Sequence, residues 1–169
     1  GGVATSYTYW PSGRVNVVSG PPAAAGVPAV STTSTWSLRG ELLSEQTSGR
    51  GARTFSFNPD GTQAWSKDER GNQTTYSYDG AGRGTGRTTP VAGGVESWGY
   101  TNGEMVSYTA APTSVGGTGR VTLFGRDAAG RVSTVADPSG RTMTDSFNLA
   151  GDLTGRVFAQ GGSSFGFLY

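Results

Sequence analysis

One regularity constrains the fold of this chain more than any other: a turn glycine returns at a nearly constant interval. The steps between these glycines are 27, 21, 21, 21, 27 and 21 residues. A fixed step of this kind is the sequence signature of a repeat array. We therefore expect a row of similar repeats and not a single irregular domain. The turn glycines are Gly13, Gly40, Gly61, Gly82, Gly103, Gly130 and Gly151.

The clearest repeat spans residues 75–83 and ends in a turn with two specialised residues. Asp79 is expected to accept hydrogen bonds from backbone N–H groups two residues on, and Gly82 to adopt the positive φ that closes a hairpin. Asp127 and Gly130 stand in the same relation to each other. The turn at Gly103 is one residue shorter than the others.

Aromatic residues two positions apart precede four of the seven turn glycines, with Ser, Thr or Gly between them. Such alternation is typical of β-strands, and cross-strand aromatic pairs stabilise sheets. We therefore interpret these aromatics as a ladder that packs between neighbouring repeats. Arg126 and Asp145 occupy two positions where an aromatic residue is expected. The ladder comprises Tyr7, Tyr9, Trp36, Phe55, Phe57, Tyr76, Tyr78, Trp98, Tyr100, Phe124, Phe147, Phe165 and Phe167.

Other positions keep a fixed distance from the turn glycines. An arginine follows three of them directly, where a guanidinium can lie over a neighbouring aromatic face; these are Arg14, Arg83 and Arg131. Two residues beyond the glycine, five of the seven repeats carry an apolar residue, which we expect in the core; these are Val15, Leu42, Met105, Val132 and Leu153.

A second break recurs between the turn glycines, in residues 68–72 and again in residues 137–141. Each repeat should therefore be one antiparallel β-hairpin, with roughly fourteen strands in all. The two longer steps contain residues 20–30 and 109–119, which are rich in Pro, Gly and Ala and are predicted as loop insertions.

The composition agrees with an all-β fold and excludes several classes of function. No window shows helical apolar spacing, so we predict an array of antiparallel hairpins that forms a curved or spiralling sheet. The net charge is +1 without a basic block, which argues against nucleic acid as a partner. No apolar run approaches the ~20 residues that span a bilayer. The first residues also lack the pattern of a signal peptide.

The residue types argue against catalysis. The chain has neither histidine nor cysteine, which removes the commonest general base, the thiol nucleophile and the best ligands for transition metals. Most of its carboxylates occupy turn positions that the repeat itself explains. We therefore expect no enzyme activity, no cofactor and no metal. Two alternatives stay open, namely calcium bound by turn carboxylates and a glycan-cleaving site at Asp68 or Glu69.

Tyr76-Ser-Tyr78-Asp79-x-x-Gly82-Arg83, preceded by Asp68-x-x-Gly71-Asn72, resembles the tyrosine-aspartate (YD) repeat of the RHS family. Bacterial polymorphic toxins, cocoon-forming components of insecticidal toxin complexes and animal teneurins carry such repeats. The resemblance runs from about Tyr7 to Phe167, in seven repeats and a started eighth. It implies that residues 1–169 are a single array within a longer, secreted or cell-surface chain, part of a hollow shell. The implied partners are further repeats and an enclosed C-terminal effector.

A second function stays open, that of an extracellular adhesive or filament-forming protein. The final segment, from Phe165 to Tyr169, has no charge or proline to protect a strand edge. Copies of the chain could therefore associate by strand addition, or the tryptophans could bind glycans.

Overall fold

The computed structural model describes residues 4–90, 94–114 and 117–169, and these form two compact units, Gly1–Ser77 and Tyr78–Tyr169. Fifteen strands and no helix lie in the described ranges. Every strand pairing recorded within either unit is antiparallel and joins neighbours in sequence. The predicted all-β array of antiparallel hairpins is thus confirmed. The sequence predicted roughly fourteen strands. The fifteenth, which spans Ser163–Leu168, comes from the eighth repeat, of which only the beginning is present.

The first unit contains seven strands in chain order: β1 (Ser6–Tyr9), β2 (Val15–Ser19), β3 (Ser31–Trp36), β4 (Leu42–Thr47), β5 (Ala52–Phe57), β6 (Gln63–Lys67) and β7 (Gln73–Tyr78), whose last residue belongs to the second unit. The second unit contains eight: β8 (Gly84–Thr88), β9 (Val95–Thr101), β10 (Glu104–Ala110), β11 (Arg120–Arg126), β12 (Val132–Ala136), β13 (Thr142–Phe147), β14 (Leu153–Gln160) and β15 (Ser163–Leu168).

The strand register shifts by one residue next to most of the turn glycines, which forms a β-bulge. As a result, the residue four positions before the glycine pairs with the residue two positions after it. Two positions that the sequence marks separately, the second aromatic and the expected core residue, are therefore cross-strand partners. Tyr9 pairs with Val15, Trp36 with Leu42 and Phe147 with Leu153, whereas Phe57 has the polar Gln63 as its partner.

Two long connections separate strands that follow one another in the chain. β2 ends at Ser19 and β3 begins at Ser31, so residues 20–30 connect them. β10 continues to Ala110, so the second loop begins two residues later than predicted and covers 111–119. Residues 115 and 116 of that loop lie outside the described part of the chain.

None of the described apolar side chains is fully buried, and this corrects the expectation of a core. Val15, Leu42, Met105, Val132 and Leu153 are half-buried. The physical reason is that, within each unit, strands pair side by side in chain order, and among the described residues no second layer of secondary structure packs on them. The described residues that are buried and polar are Ser34 and Asp145.

Candidate functional site

The repeat turns hold the most regular geometry in the molecule, and the turn after β7 shows its parts. The Asp79 backbone N–H donates to the Arg83 carbonyl oxygen (3.0 Å), and the Gly82 N–H donates to the Asp79 carbonyl oxygen (2.9 Å). Gly82 has a φ of 78°. Asp79 Oδ1 accepts hydrogen bonds from the backbone N–H groups of Ala81 (2.9 Å) and Arg83 (3.0 Å). The aspartate thus orders the turn and the glycine closes it.

The same pair of backbone hydrogen bonds closes six of the seven turns that contain a turn glycine, and it also closes the two second-type turns. In each of these turns, the glycine that donates the second hydrogen bond has a positive φ. The exception is the short turn at Gly103, where Thr101 pairs directly with Glu104. The turns with the common geometry span residues 10–14, 37–41, 58–62, 68–72, 79–83, 127–131, 137–141 and 148–152.

In other repeats, three polar residues that the sequence pattern did not identify take the place of Asp79. Ser37 Oγ accepts hydrogen bonds from the backbone N–H groups of Arg39 (3.2 Å) and Glu41 (3.1 Å). Asn148 Oδ1 accepts one from Asp152 N–H (2.9 Å), and Asn58 Nδ2 donates to the Thr62 hydroxyl (2.9 Å). A short polar residue three positions before the turn glycine is the signal that would have found them.

Turn aspartates that have an arginine four residues later in the sequence accept hydrogen bonds from its guanidinium group. Asp79 Oδ2 accepts hydrogen bonds from Arg83 Nε and Nη2, both at 2.7 Å, and Asp127 has the same arrangement with Arg131. The arginine side chain is the main cause that holds the pKa of each of these two aspartates below 3.8. Both carboxylates are therefore ionised at neutral pH and hydrogen-bonded to the arginine of their own turn.

The carboxylates of the second turns are engaged in the same way by different donors. The Asn72 side-chain amide (2.8 Å) is the main cause that lowers the pKa of Asp68. For Asp137 the Ser139 hydroxyl (2.6 Å) is the largest cause of a strongly lowered pKa, followed by Arg141 Nε (2.7 Å). Neither aspartate has the raised pKa of a general acid.

Three arginines reach from one repeat to the next, and we call these contacts the arginine clips: Arg14 on Trp36, Arg83 on Tyr100, and Arg131 on Phe147. The distances from guanidinium carbon to ring centroid are 5.9, 4.6 and 4.4 Å, respectively. These distances lie within the range of cation–π attraction. Each clip therefore links a turn to an aromatic residue of the following repeat.

Direct contacts between aromatic rings are fewer than the predicted ladder requires. In the described part of the chain, rings stack between Trp98 and Tyr108 (6.0 Å) and between Phe158 and Phe165 (5.2 Å), and Phe165 meets Phe167 edge-on (6.2 Å). Tyr108 and Phe158 are outside the predicted ladder.

The hairpin geometry explains why successive ladder residues rarely touch. Each repeat has its ladder aromatics on one strand, and in several repeats the neighbouring strand places a smaller side chain opposite a ladder residue. Tyr7 pairs with Val18, Phe55 with Ser66, and Phe124 with Val135. Since neighbouring strands are about 4.8 Å apart, ladder residues of successive repeats are separated by about 10 Å.

Two tryptophans bind the backbone of an adjacent repeat. Trp10 Nε1 donates to the Ser34 carbonyl oxygen (3.0 Å), and Trp36 Nε1 donates to the Val15 carbonyl oxygen (2.8 Å). Trp65 lies beneath the Lys67 ammonium group, at 5.2 Å. Their contacts within the protein give these tryptophans a structural role that does not require a glycan.

The two charged residues at aromatic positions are accommodated by ion pairs. Asp145 on β13 pairs across the sheet with Arg156 on β14, with Nε–Oδ1 and Nη2–Oδ2 distances of 2.6 and 2.7 Å. The Asp145 side chain is only 7% exposed. Arg126 Nη2 lies 2.9 Å from the Glu104 carboxylate. The strands of these two repeats carry the same one-residue bulge as the other repeats.

The described residues contain no group of three His, Cys, Asp or Glu side chains that could hold a metal ion. They also contain no helix with the length and apolarity needed to cross a bilayer. The second unit has an open depression of about 680 Å³, with Val135, Met143, Phe158 and Phe165 among its lining residues and Asp137 and Arg141 beside them.

No family model matches the sequence, and no curated protein matches it at a significant level. Solved structures do match. The crystal structures of TcdB2-TccC3 without its hypervariable C-terminal region and of TcdB2-TccC3-Cdc42 both match with 15% identity and a TM-score of 0.43. A Photorhabdus luminescens Tc holotoxin pore matches with 14% identity and a TM-score of 0.39. In each case the match covers 96% of this chain, which spans only 12% of the length of the matched chain.

Proposed function

We propose that this chain is a segment of an RHS-type shell, a scaffold without chemistry of its own that encloses or presents an effector. The observation that carries the proposal is the recurrence of one hydrogen-bonded turn, in register with the YD motif, in six of the seven repeat turns. A repeat array of this kind builds surface by adding neighbours, and its residues serve that packing.

The state of the carboxylates supports a scaffold over an enzyme. Asp68, the residue of the alternative glycan-cleaving site, accepts hydrogen bonds from the backbone N–H groups of Arg70 and Asn72, both at 2.9 Å, as well as from the Asn72 amide. A carboxylate with this many donors is a weak base and is not poised to donate a proton.

The exposure of apolar side chains supports a role in enclosing a partner. Monomeric proteins rarely leave large apolar surfaces uncovered. Here every described apolar side chain is at least partly exposed, because each unit is a single layer of strands. In our proposal, further repeats of the same polypeptide and its C-terminal effector cover these side chains. By the family resemblance, the assembly is bacterial and secreted or exposed at the cell surface.

The test is protease protection in the complete polypeptide that carries this segment. We expect the region beyond the repeats to resist protease in the native protein and to be degraded once the repeats are denatured. Electron microscopy of the same sample should show closed hollow particles. The 169-residue segment fused to an unstructured reporter peptide is the matched control, and it should leave the reporter accessible. A native polypeptide whose downstream region is degraded as fast as that reporter would contradict the proposal.

One observation favours the alternative of an adhesive or filament-forming protein. On β15 the side chains of Phe165, Phe167 and Leu168 are 65%, 53% and 93% exposed. A strand with these side chains and no charge or proline is suited to strand addition. Electron microscopy separates the two functions, because filaments of uniform width support the alternative.

A further inference from the structure

The turn between β9 and β10 differs from the other repeat turns in a way that the scaffold function does not explain. It has two residues, Asn102 and Gly103, with φ values of 51° and 90°. Asn102 is the one described residue other than glycine with a positive φ. Asparagine and glycine tolerate this left-handed conformation, so the short turn favours an Asn-Gly pair.

An Asn-Gly pair is chemically labile in a way that other asparagine pairs are not. The backbone nitrogen of the glycine, after losing its proton, attacks Cγ of the asparagine. A C–N bond forms, the Cγ–Nδ2 bond breaks, and the amide nitrogen leaves as ammonia. Water then opens the resulting succinimide to give aspartate or isoaspartate. Glycine is the most favourable following residue because it has no Cβ to obstruct the attack.

We propose that Asn102 is a site of spontaneous deamidation in this protein. The chain has five asparagines, and Asn102 is the one followed by glycine. Both Asn102 and Gly103 are exposed, so hydroxide and water reach the turn freely. Three of the others, Asn58, Asn72 and Asn148, have side chains bound within their own turns.

Attack on Cγ requires the backbone to leave the left-handed conformation, so the reaction proceeds when the turn opens locally. Turns at hairpin tips open at a far lower free energy than the whole domain. The rate at Asn102 should therefore lie between that of the free peptide and those of the other four asparagines.

The product places a carboxylate next to a glycine that Arg83 approaches. A Cβ built on Gly103 lies 3.7 Å from Arg83 Nη1, so Arg83 is close to this turn. The new carboxylate would compete with Asp79 for Arg83. Deamidation thus adds negative charge to the contact between two repeats.

The test is peptide mapping by mass spectrometry after incubation of the folded protein at mildly alkaline pH. We expect Asn102 to convert first, to a mixture of aspartate and isoaspartate, while Asn72 and Asn148 in the same sample stay amides. The rate should rise with pH, because the attacking nitrogen must lose a proton. Asn102→Gln should remove the signal, since glutamine forms the larger ring much more slowly.

A sample in denaturant provides the second measurement. If Asn102 converts in denaturant but stays an amide in the folded protein, the turn protects it and the proposal is wrong. The proposal is also wrong if Asn72 or Asn148 converts as fast as Asn102 in the folded protein. Asn102→Asp introduces the product charge directly, and circular dichroism of this variant shows whether the added charge alters the fold.

Discussion

The guanidinium of Arg83 lies 4.6 Å from the ring centroid of Tyr100 while its Nε remains 2.7 Å from the carboxylate of Asp79. One arginine side chain thus compensates the charge of the aspartate in its own turn and packs on the aromatic residue of the next repeat. Arg131 does the same between Asp127 and Phe147. This arrangement couples the local order of a turn to the contact between repeats.

Replacement of the clip arginine should weaken that coupling. Arg83→Gln removes the cation–π contact, which at an exposed site contributes about 0.5–1 kcal/mol. We expect the free energy of unfolding to fall by about this amount, because the exposed ion pair with Asp79 adds little. Urea denaturation followed by circular dichroism measures the change. Arg120→Gln, at an exposed arginine outside the clips, is the control and should be neutral; equal effects of the two variants would show that the clips do not stabilise the fold.

The turn after β7 contains two glycines with different roles, which gives an internally controlled test. Gly82 has a φ of 78°, and a Cβ there meets no atom within 4 Å, so Gly82→Ala should cost only the backbone strain of about 1–2 kcal/mol. Gly80 is outside the left-handed region and its Cβ position is also open. Gly80→Ala should thus be neutral, or stabilising by up to about 1 kcal/mol. Equal melting temperatures for the two variants would argue against the role assigned to Gly82.

Gly40 should be the more sensitive of two turn glycines, because it also supports a clip. A Cβ on Gly40 would overlap the guanidinium of Arg14, whereas one on Gly130 meets no atom within 4 Å. Both glycines have positive φ. We expect Gly40→Ala to lower the melting temperature more than Gly130→Ala, because the methyl group also displaces Arg14 from Trp36. If Arg14→Gln cancels the difference between the two alanine variants, the displaced arginine is its cause.

The fold class was predictable from the sequence because the turn chemistry is local. A glycine with positive φ and a preceding residue that bonds to backbone N–H groups act within five residues, so the register of each hairpin can be read from its turn. The same locality explains why Asp79 and Gly82 were recognisable, whereas Ser37 and Asn58 were missed when the pattern was sought only as aspartate.

Contacts that depend on the spacing between strands could not be predicted from the repeat alone. The ladder was assigned from aromatic periodicity, but ladder residues lie on alternate strands, and the sequence pattern gives no measure of the gap between their rings. The half-buried state of Val15 and Leu42 was missed for a related reason. Apolar periodicity shows which residues lie on the same face of a strand. It does not show whether other parts of the protein cover that face.

The stability of the protein should fall in acid, and the turn aspartates set the range. A carboxyl whose pKa is lower in the folded state than in the unfolded state stabilises the fold above its unfolded pKa, and this contribution is lost as the pH falls through the folded value. Asp68, Asp79 and Asp127 all have pKa values below 3.8. We expect melting temperatures that are nearly constant from about pH 7 to about pH 5 and fall below about pH 4.

The variant Asp127→Asn tests that assignment. The amide oxygen can still accept the backbone hydrogen bonds of the turn, but the side chain no longer titrates. Its melting temperature should be lower than that of the parent protein at neutral pH and should change less with pH below about 4. A pH dependence as steep as that of the parent protein would place the acid sensitivity elsewhere in the chain.

The ion pair between Asp145 and Arg156 replaces an aliphatic–aromatic pair that other repeats have at the same place. Asp145 stands six residues before its turn glycine, as Phe124 does, and Phe124 pairs across the sheet with Val135. Asp145→Ala leaves Arg156 without its partner and should lower the free energy of unfolding, although solvent reaches Arg156, which is 35% exposed, and reduces the loss. The double variant Asp145→Phe with Arg156→Val copies the Phe124–Val135 pair and should recover most of that loss, because replacing a buried ion pair by apolar residues is often neutral or stabilising. Urea denaturation of the single and double variants measures both effects; a double variant no more stable than Asp145→Ala would show that this position requires its charges.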